Sequence, residues 1–350
     1  KNASAGVISI TTQKPRFDFG GNVEASYGNF NAIVAKGVIT GPLTDTLAAS
    51  ISAGYNNRDG YNRNLSTGGK LNDRNRWFVR GQLLFQPDSQ LSVRIIGDYG
   101  KINEVCCAVV NVQQSAATAA IRAVGGNVNA PADRFKDEVY ANYDPVARVK
   151  NYGVSGQVDY ETGPITLTSI SAYRRTDSFS DYDADFTSAD LLQINATSTG
   201  IKTFTQEFRA SATILDRVTA LLGAYYFNER IGQSGPLQYG SAFRNYANLL
   251  VQGKSGGALS VPLLESTFGA LEGSPTKYTN RFFARGQGLD ENYRLKDDAI
   301  SIFGQLDVKI ADRLTLTGGA NFTHDGKKFA LDVNSSDVFS SVNLNDTRYA

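Results

Sequence analysis

Several residue types are rare or missing in this chain of 350 residues. Met is absent and His occurs once, which leaves too few imidazoles for a His-rich metal site. No apolar run reaches about 18 residues, so neither a transmembrane helix nor a secretory signal peptide is predicted. The formal net charge of +1 provides no basic field for nucleic acid, so a nucleic-acid partner is not expected. Because the chain begins with Lys1 rather than Met, we expect a processed product or a fragment.

Residues that favour strands are abundant. The chain has 34 Gly, 17 Tyr and 19 Phe but only 9 Pro, a composition typical of strands and hairpins rather than of helices or disorder. Most of the strands that we predict have about 11 to 15 residues, more than the roughly 5 to 6 of soluble sheets and enough for a tilted membrane strand, which needs roughly 9 to 11. The eleven predicted strands span residues 17–27, 30–40, 47–57, 75–86, 91–103, 150–161, 165–179, 202–212, 218–233, 298–310 and 314–327.

Apolar and polar side chains alternate along the clearest of these strands. A period of two places the two sets on opposite sides of a sheet. Charge is costly in lipid, so the apolar set is expected to face lipid and the charged set to bond to neighbours in the interior. The expected lipid-facing residues include Val79, Leu83, Val93, Ile302 and Leu316. The expected interior charges are Arg80, Arg94, Asp98, Asp159, Arg174, Glu207, Arg209, Asp307 and Lys309.

The connections between the strands differ in length at the two rims of the sheet. Tight turns rich in Gly-Pro, Pro-Asp or Asp-Arg join one set of strand ends, at residues 41–46, 87–90, 162–164, 213–217 and 311–313. The connections at the other rim are mostly long and span residues 28–29, 58–74, 104–149, 180–201 and 234–297. Short turns at one rim and long loops at the other are typical of outer-membrane barrels.

Aromatic residues cluster near the predicted strand ends. In a membrane barrel such residues form girdles at the two interfaces. Ordinary packing between neighbouring strands would explain them equally well, and the sequence leaves both interpretations open. The residues concerned are Tyr27, Tyr55, Trp77, Tyr99, Tyr152, Tyr160, Tyr173 and Tyr226.

Several short motifs resemble the TonB-dependent outer-membrane receptor family. The first is an aliphatic-Thr strand at residues 7–12 that runs into Lys14-Pro15, like the last strand of that family's plug domain. The others are Tyr27-Gly28-Asn29-Phe30, Gly41-Pro42-Leu43 and Gln206-Glu207-Phe208-Arg209. The resemblance implies an all-β fold, an antiparallel up-and-down transmembrane β-barrel of which about 11 of an expected 22 strands are present. Residues 1–15 would then end the plug, and residues 16–350 would form the N-terminal half of the barrel.

The same resemblance implies a function without bond-making chemistry, a catalytic residue or a cofactor. The family imports a scarce nutrient across the cell outer membrane of Gram-negative bacteria, most often a ferric siderophore, and in other cases haem, cobalamin or an oligosaccharide. Its partners are outer-membrane lipid and a TonB-type energy-coupling protein. That protein contacts a short N-terminal motif of the family's receptors, which this sequence does not contain. The alternatives are a passive outer-membrane porin and, as a weaker one, an outer-membrane hydrolase.

A rigid barrel does not select a ligand, so selectivity is expected in the long loops. Tyr and Arg have large planar faces, and Arg adds forked donors, which suit aromatic or anionic chelates. The alternative is that these loops only occlude the mouth of the barrel. The candidate ligand contacts are Arg134, Tyr140, Tyr143, Arg175, Tyr182, Tyr239, Arg244 and Tyr246.

Three further features have ordinary structural explanations. Cys106 and Cys107 are adjacent, which favours a vicinal disulfide over zinc, with free thiols as the alternative. The acidic run that contains Asp177, Asp181, Asp183 and Asp185 lacks the Gly and Glu of a calcium loop, so we expect a solvated acidic loop, with a loose cation site as the alternative. His324 is interpreted as an ordinary strand-end residue, so no metal site is predicted.

Overall fold

The computed structural model describes residues 11–214 and 217–347. Within them, all eleven predicted strands form one open antiparallel sheet in which each strand pairs with the next along the chain. The predicted strand at residues 7–12 lies mostly outside the described residues. The strands of the large sheet are β1 (Gly20–Gly28), β2 (Ala32–Thr44), β3 (Leu47–Arg58), β6 (Arg74–Phe85), β7 (Leu91–Glu104), β9 (Val146–Thr162), β10 (Ile165–Asp181), β11 (Leu192–Ile214), β12 (Val218–Tyr239), β13 (Gly288–Ala311) and β14 (Leu314–Ser335).

The long connections at one rim contain structure that the sequence analysis did not predict. Three short strands form a second sheet: β4 (Asn62–Asn64), β5 (Lys70–Leu71) and β8 (Glu138–Val139). The helices in the described part of the chain are α1 (Ala116–Ala123), α2 (Phe243–Lys254) and α3 (Val261–Leu271), with single 3₁₀ turns at Pro131–Asp133 and Phe339–Ser341. No helix in residues 11–214 and 217–347 is both long and apolar enough to cross a membrane.

The last four strands are longer than predicted. β11 and β13 have 23 and 24 residues, so the connections predicted at 180–201 and 234–297 shorten to residues 182–191 and 240–287. The added ends at residues 192–201 and 288–297 contain isolated apolar residues among Gly, Asn, Ser, Thr and charged residues, and apolar alternation therefore does not extend the predicted strands into them. His324 lies within β14 rather than at its end, since the strand continues to Ser335.

The register confirms that the two predicted sets of side chains lie on opposite faces. Directly paired residues of an antiparallel ladder point to the same side. Val79 pairs with Tyr99 and Leu83 with Ile95, whereas Arg80 pairs with Asp98. Continued strand by strand to β14, the register places Ile302 and Leu316 with the apolar set and Asp307 and Lys309 with the charged set. We call the apolar side the outer face and the other side the inner face.

The outer face is open to its surroundings. Ile302 and Leu316 remain 57% and 62% exposed, although both are large apolar side chains. All eight candidate girdle residues lie on this face, where Trp77, Tyr99 and Tyr152 form a row with ring centroids 5.3 and 6.1 Å apart. The buried apolar clusters of the described residues lie instead in the loops, around Phe282 and around Ile121.

Candidate functional site: the inner face and the loops of one rim

The inner face of β6 and β7 holds the N-terminal segment. Arg94 is 7% exposed, and its Nη2 donates to the carbonyl oxygens of Thr12 and Gln13, each at 3.1 Å. Gln82 donates from Nε2 to the carbonyl of Gln13 at 3.3 Å and accepts from Arg94 Nε at 3.1 Å. A cavity of about 430 Å³ lies between this segment and the strands. Side chains of the sheet therefore bind the N-terminal segment through the backbone carbonyls of that segment.

Other inner-face charges form ion pairs with one another, between strands or along one strand, as predicted. Asp98 on β7 forms an ion pair with Arg174 on β10, with Nη2 and Oδ1 2.7 Å apart. Glu207 and Arg209 pair along β11 at 3.1 Å. At the rim with long loops, Glu104 is 5% exposed and accepts from Arg74 and Arg76. These bonds fix the inner wall beneath the loops.

The first two long loops are joined by a buried amide. Asn64, which is fully buried, donates from Nδ2 to the Ala141 carbonyl at 3.1 Å and to Asp144 Oδ1 at 2.9 Å. Its Oδ1 accepts from the backbone N–H of Ala141 at 3.2 Å, and β4 pairs in parallel with β8 alongside. Both the donor and the acceptor group of the Asn64 side chain are bonded to the loop after β7, so the loops after β3 and β7 form one unit.

Asp183 and Asp190 join the next two connections to that unit. The backbone N–H of Asn142 donates to Asp183 Oδ2 at 3.1 Å. Asp190 accepts from the backbone N–H and the hydroxyl of Ser241, each at 2.7 Å, and its carbonyl accepts from the N–H of Ala242 at 2.9 Å. The loops after β7, β10 and β12 are thus connected around the residue 182–191 turn.

The acidic turn is not the solvated loop that the sequence predicts. Asp183 is 2% exposed because its carboxylate caps backbone N–H groups, those of Asp185 and Phe186 among them. Asp185 accepts from Thr187 and from the N–H of Leu192 in the same way. Burial and the neighbouring Asp185 carboxylate raise the pKa of Asp183 to about 7, and burial also raises the pKa of Asp185.

The connection between β12 and β13 is a folded insert with its own aromatic core. The rings of Tyr239 and Phe243 are stacked with centroids 4.0 Å apart, and Phe283 meets both rings edge-on at about 6 Å. Phe282 is fully buried and packs against Phe339, which follows β14. Ser260 is the N-cap of α3, and its hydroxyl accepts from the backbone N–H of Leu263. This hydrogen bond stabilises the first turn of the helix within the insert.

Arg244 has a structural partner in this insert. Its Nη1 and Nη2 donate to Glu265 Oε1 and Oε2 at 2.6 and 2.8 Å, and Glu265 is 2% exposed. Glu265 also accepts from the backbone N–H groups of Asn280, Arg281 and Phe282. Although burial alone would raise it, the hydrogen bonds from Arg244 and these N–H groups hold the pKa of Glu265 below its usual range.

The structure separates the eight candidate ligand contacts into groups. Arg134 and Tyr182 are exposed, and Tyr140 is half-buried, in the loops after β7 and β10. Tyr143 donates to Asp181 Oδ1 at 3.1 Å, while Tyr239 and Tyr246 belong to the aromatic cluster around Phe243. Arg244 is held by Glu265. Arg175 lies on the outer face, since it pairs with Tyr152 and Lys202, and so it is separated from the rest.

Cys106 and Cys107 lie at the start of the loop after β7. Their sulfur atoms are 1.97 Å apart, as in a disulfide. The N–H of the neighbouring Val105 donates to Asp73 Oδ1 at 2.6 Å, and Asn72 Nδ2 donates to Asn62 Oδ1 at 2.7 Å. The cysteine pair therefore lies beside the contact between the first two long loops.

Sequence reasoning did not identify the residues that hold the loops together, namely Asn64, Asp190 and Glu265. Their partners lie far along the chain, 77 residues away for Asn64 and Ala141 and 51 for Asp190 and Ser241. A signal for α3 was nonetheless present, since Ser260-Val261-Pro262 is a cap followed by Pro in the first turn.

Comparison with family models of known proteins gives no match, and neither does comparison with curated protein sequences. Solved structures do match. The ferric yersiniabactin uptake receptor FyuA from Yersinia pestis superimposes with a TM-score of 0.68 at 16% identity, over 93% of this chain and 42% of that receptor. The open form of the ferric-catecholate import receptor Fiu from E. coli K12 gives 0.58 at 10% identity, over 91% and 46%.

The alcaligin outer-membrane receptor FauA from Bordetella pertussis gives a TM-score of 0.56 at 9% identity, over 91% of this chain and 38% of that one. The chain thus spans less than half the length of each of these receptors. At such identities a likeness concerns the fold alone. The comparisons confirm the fold that the sequence motifs imply: the open, up-and-down antiparallel sheet of this chain superimposes on part of these outer-membrane receptors.

Proposed function

We propose that this chain is part of an outer-membrane receptor that imports a small nutrient with energy supplied by a TonB-type partner. Residues 16–350 would form the first half of the barrel, and residues 1–15 would end the plug. The outer face would contact membrane lipid, because its large apolar side chains are exposed while the charges lie on the inner face.

One observation carries this proposal over a passive porin. The inner face does not line an open channel along β6 and β7, because Arg94 and Gln82 bind the backbone of Thr12 and Gln13 there. A polypeptide held against the inner wall by hydrogen bonds is what a plugged barrel needs. An outer-membrane hydrolase is less well supported, because the chain's single His, His324, is on the outer face within β14.

The favoured nutrient is a ferric siderophore. Two solved structures with this fold are named for ferric siderophores, as the receptors for ferric yersiniabactin and for ferric catecholates. The loops of this chain offer exposed groups that suit such chelates, namely Arg134 and Tyr182, with Phe135 82% exposed beside Arg134. Planar donors and aromatic faces suit anionic or aromatic chelates.

The first experiment is a growth test with the full-length protein. Cells that lack other iron receptors would express it under iron limitation and receive one ferric siderophore at a time. The proposal expects growth with at least one siderophore and none when the TonB-type partner is deleted. Growth that is independent of that partner would favour the porin.

A further inference from the structure

The cavity of about 430 Å³ between the N-terminal segment, residues 11–16, and the inner face is rich in cations and hydroxyl groups. Lys14 and Arg16 line it from the segment, and Arg80 lines it from β6. Ser50 and Ser52 line it from β3. None of the described residues that line this cavity is acidic. Its chemistry therefore favours a negatively charged occupant.

The hydroxyl groups and the guanidinium form one patch on two neighbouring strands. Ser52 pairs directly with Arg80, and Ser50 pairs directly with Gln82. Directly paired residues point to the same side of a sheet, and so do residues two apart on one strand. Neighbouring strands are about 4.8 Å apart, so a single small molecule can contact both serines and the arginine.

Three polar groups of this patch lack a partner within the described protein. Ser50 is 6% exposed, yet no hydrogen bond within residues 11–214 and 217–347 involves its hydroxyl or that of Ser52. The Nε of Arg80 is buried and also has no hydrogen-bond partner among the described residues. Buried polar groups in proteins are nearly always hydrogen-bonded. These three donors are thus available to a molecule in the cavity.

The positive charge beside the cavity is not neutralised by the described residues. Arg94 is 7% exposed and donates only to uncharged oxygens. The acid directly opposite Arg80 is Asp98, and Arg174 binds both of its carboxylate oxygens, at 2.7 and 3.1 Å. No ion pair in residues 11–214 and 217–347 involves Arg80 or Arg94. A buried cation without a counter-charge is unfavourable, and an anion in the cavity would supply that counter-charge.

We propose that this cavity binds one tetrahedral oxyanion, phosphate or sulfate, between Arg80, Ser50 and Ser52 of the wall and Lys14 and Arg16 of the N-terminal segment. An oxyanion has several oxygen atoms that accept hydrogen bonds from separate donors. A guanidinium matches two of them with its forked N–H groups, and a serine hydroxyl donates to a third. Hydrogen bonds to an ionised acceptor are about twice as strong as those between neutral groups. The bound anion would join the segment to the wall by charge, in addition to the bonds from Arg94.

The position of the cavity along the strands indicates the source of the anion. Ser50 lies three residues after Leu47, where β3 begins, and Gln82 lies three residues before Phe85, where β6 ends. Both strand ends are at the rim with tight turns, which in outer-membrane barrels is the periplasmic rim. Only this assignment of a compartment rests on the proposed function. The binding itself goes beyond that function and does not depend on the imported nutrient.

The direct test measures binding of radiolabelled inorganic phosphate by equilibrium dialysis. It uses the purified full-length receptor in non-ionic detergent and a buffer free of phosphate and sulfate. R80Q removes the forked cation, and R80K keeps the charge without the fork. S50A/S52A removes the two hydroxyl groups and leaves every charge in place, so it tests the site even where R80Q fails to fold.

The matched controls remove the same groups from inner-face positions outside the cavity. R209Q removes an inner-face arginine that pairs with Glu207. S155A/S301A removes two inner-face serines, which lie on β9 and β13. Both controls should bind phosphate as the wild type does.

We expect the wild type to bind about one phosphate per receptor, with saturation. Unlabelled sulfate should displace the label, and chloride at the same concentration should not. R80Q and S50A/S52A should each lose at least about tenfold in affinity, because each removes hydrogen bonds to a charged acceptor. R80K should lie between R80Q and the wild type.

Three results would overturn the proposal. The first is no saturable binding by the wild type, which is also the result expected if a carboxylate of the same chain fills the cavity. The second is wild-type affinity in both R80Q and S50A/S52A. The third is displacement by chloride at the concentration at which phosphate displaces the label, which would show a general attraction for anions.

A second readout reports the link between the anion and the N-terminal segment. At a phosphate concentration of one hundred times the dissociation constant, any opening of the segment that releases the anion should be suppressed about a hundredfold. Hydrogen exchange of residues 12–14 and 16 measures this suppression, which R80Q should abolish. Neither readout requires transport. A receptor that imports no siderophore would still bind phosphate, and a receptor that binds none could still import iron, so the two proposals fail separately.

Discussion

Arg94 donates from Nη2 to the carbonyl oxygen of Thr12 at 3.1 Å and so joins β7 to a segment 82 residues earlier in the chain. The same guanidinium reaches Gln13 and Gln82, and it is almost fully buried. This contact is the clearest sign in the structure that the inner face is built to hold another piece of chain. It is also easy to remove.

Replacing Arg94 with Ala should loosen the N-terminal segment. A hydrogen bond from a charged group contributes about 1.5 to 3 kcal/mol, so exposure of the segment should rise at least roughly tenfold. The measurement is the maleimide labelling rate of Lys14→Cys in the full-length protein, with Cys106→Ser and Cys107→Ser present. Arg209→Ala, which removes an inner-face Arg paired with Glu207, is the control. Equal labelling of the two Ala variants would contradict the role given to Arg94.

Replacing Arg244 with Ala should destabilise the insert at residues 240–287. It leaves the carboxylate of Glu265 buried without its cation, which costs about 3 to 5 kcal/mol. Hydrogen exchange of α2 and α3 measures the effect, and Lys254→Ala at the exposed end of α2 is the control. Unchanged protection together with lost siderophore binding would make Arg244 a ligand contact after all.

The turn at residues 182–191 should become less protected as pH rises. Burial and the Asp185 carboxylate raise the pKa of Asp183 to about 7, whereas an unfolded Asp has a pKa of about 3.9. The native turn therefore binds more protons, so this stabilisation is fully present below about pH 4 and is lost as pH rises through about 7. Hydrogen exchange corrected for its intrinsic pH dependence measures it.

Asp183→Asn should abolish that pH dependence. Asp312→Asn, in a turn at the opposite rim, should preserve it. Protection that increases between pH 4 and 8 in the wild type would show that the carboxyl is ionised throughout and that the sign is wrong.

The sequence predicts the sheet well because alternation reports a physical constraint. Val79, Leu83 and Val93 must be apolar on one face while Arg80 and Arg94 are tolerated on the other. This alternation identifies the clearest strands, and strand length, turn residues and connection lengths identify the rest of the eleven. The pattern weakens in the ends of β11 and β13, where apolar residues such as Ile194 and Leu295 stand among Asn, Thr and charged residues, so the sequence predicts loops there.

The candidate site was less predictable because its residues act through distant partners. Arg244 is predicted as a ligand contact because it is a forked donor in a long loop, but Glu265 binds it from 21 residues away. Asp183 was assigned to solvent because acidic runs are usually hydrated, and its burial depends on backbone N–H groups of Asp185, Phe186 and Asn142.

Among the candidate contacts, Arg134 and Tyr182 should matter for ligand binding and Arg175 should not. The first two are exposed in the loops, and Arg175 lies on the outer face. Removing an aromatic or forked donor contact costs about 1 to 1.5 kcal/mol, so Arg134→Ala and Tyr182→Ala should each weaken binding roughly five- to tenfold. Equilibrium binding of a ferric siderophore to whole cells checks this. A loss with Arg175→Ala equal to that of Arg134→Ala would contradict the assignment of faces to function.

The central claim is that this chain belongs to a plugged, energy-coupled receptor rather than an open pore. The most direct measurement is uptake of radioactive iron, as a ferric siderophore that supports growth, by cells that express the full-length protein, with and without a protonophore. We predict uptake that stops when the protonophore is added while surface binding of the siderophore is retained. Uptake that continues at the same rate, in proportion to external concentration and without saturation, would contradict the claim and identify a passive pore.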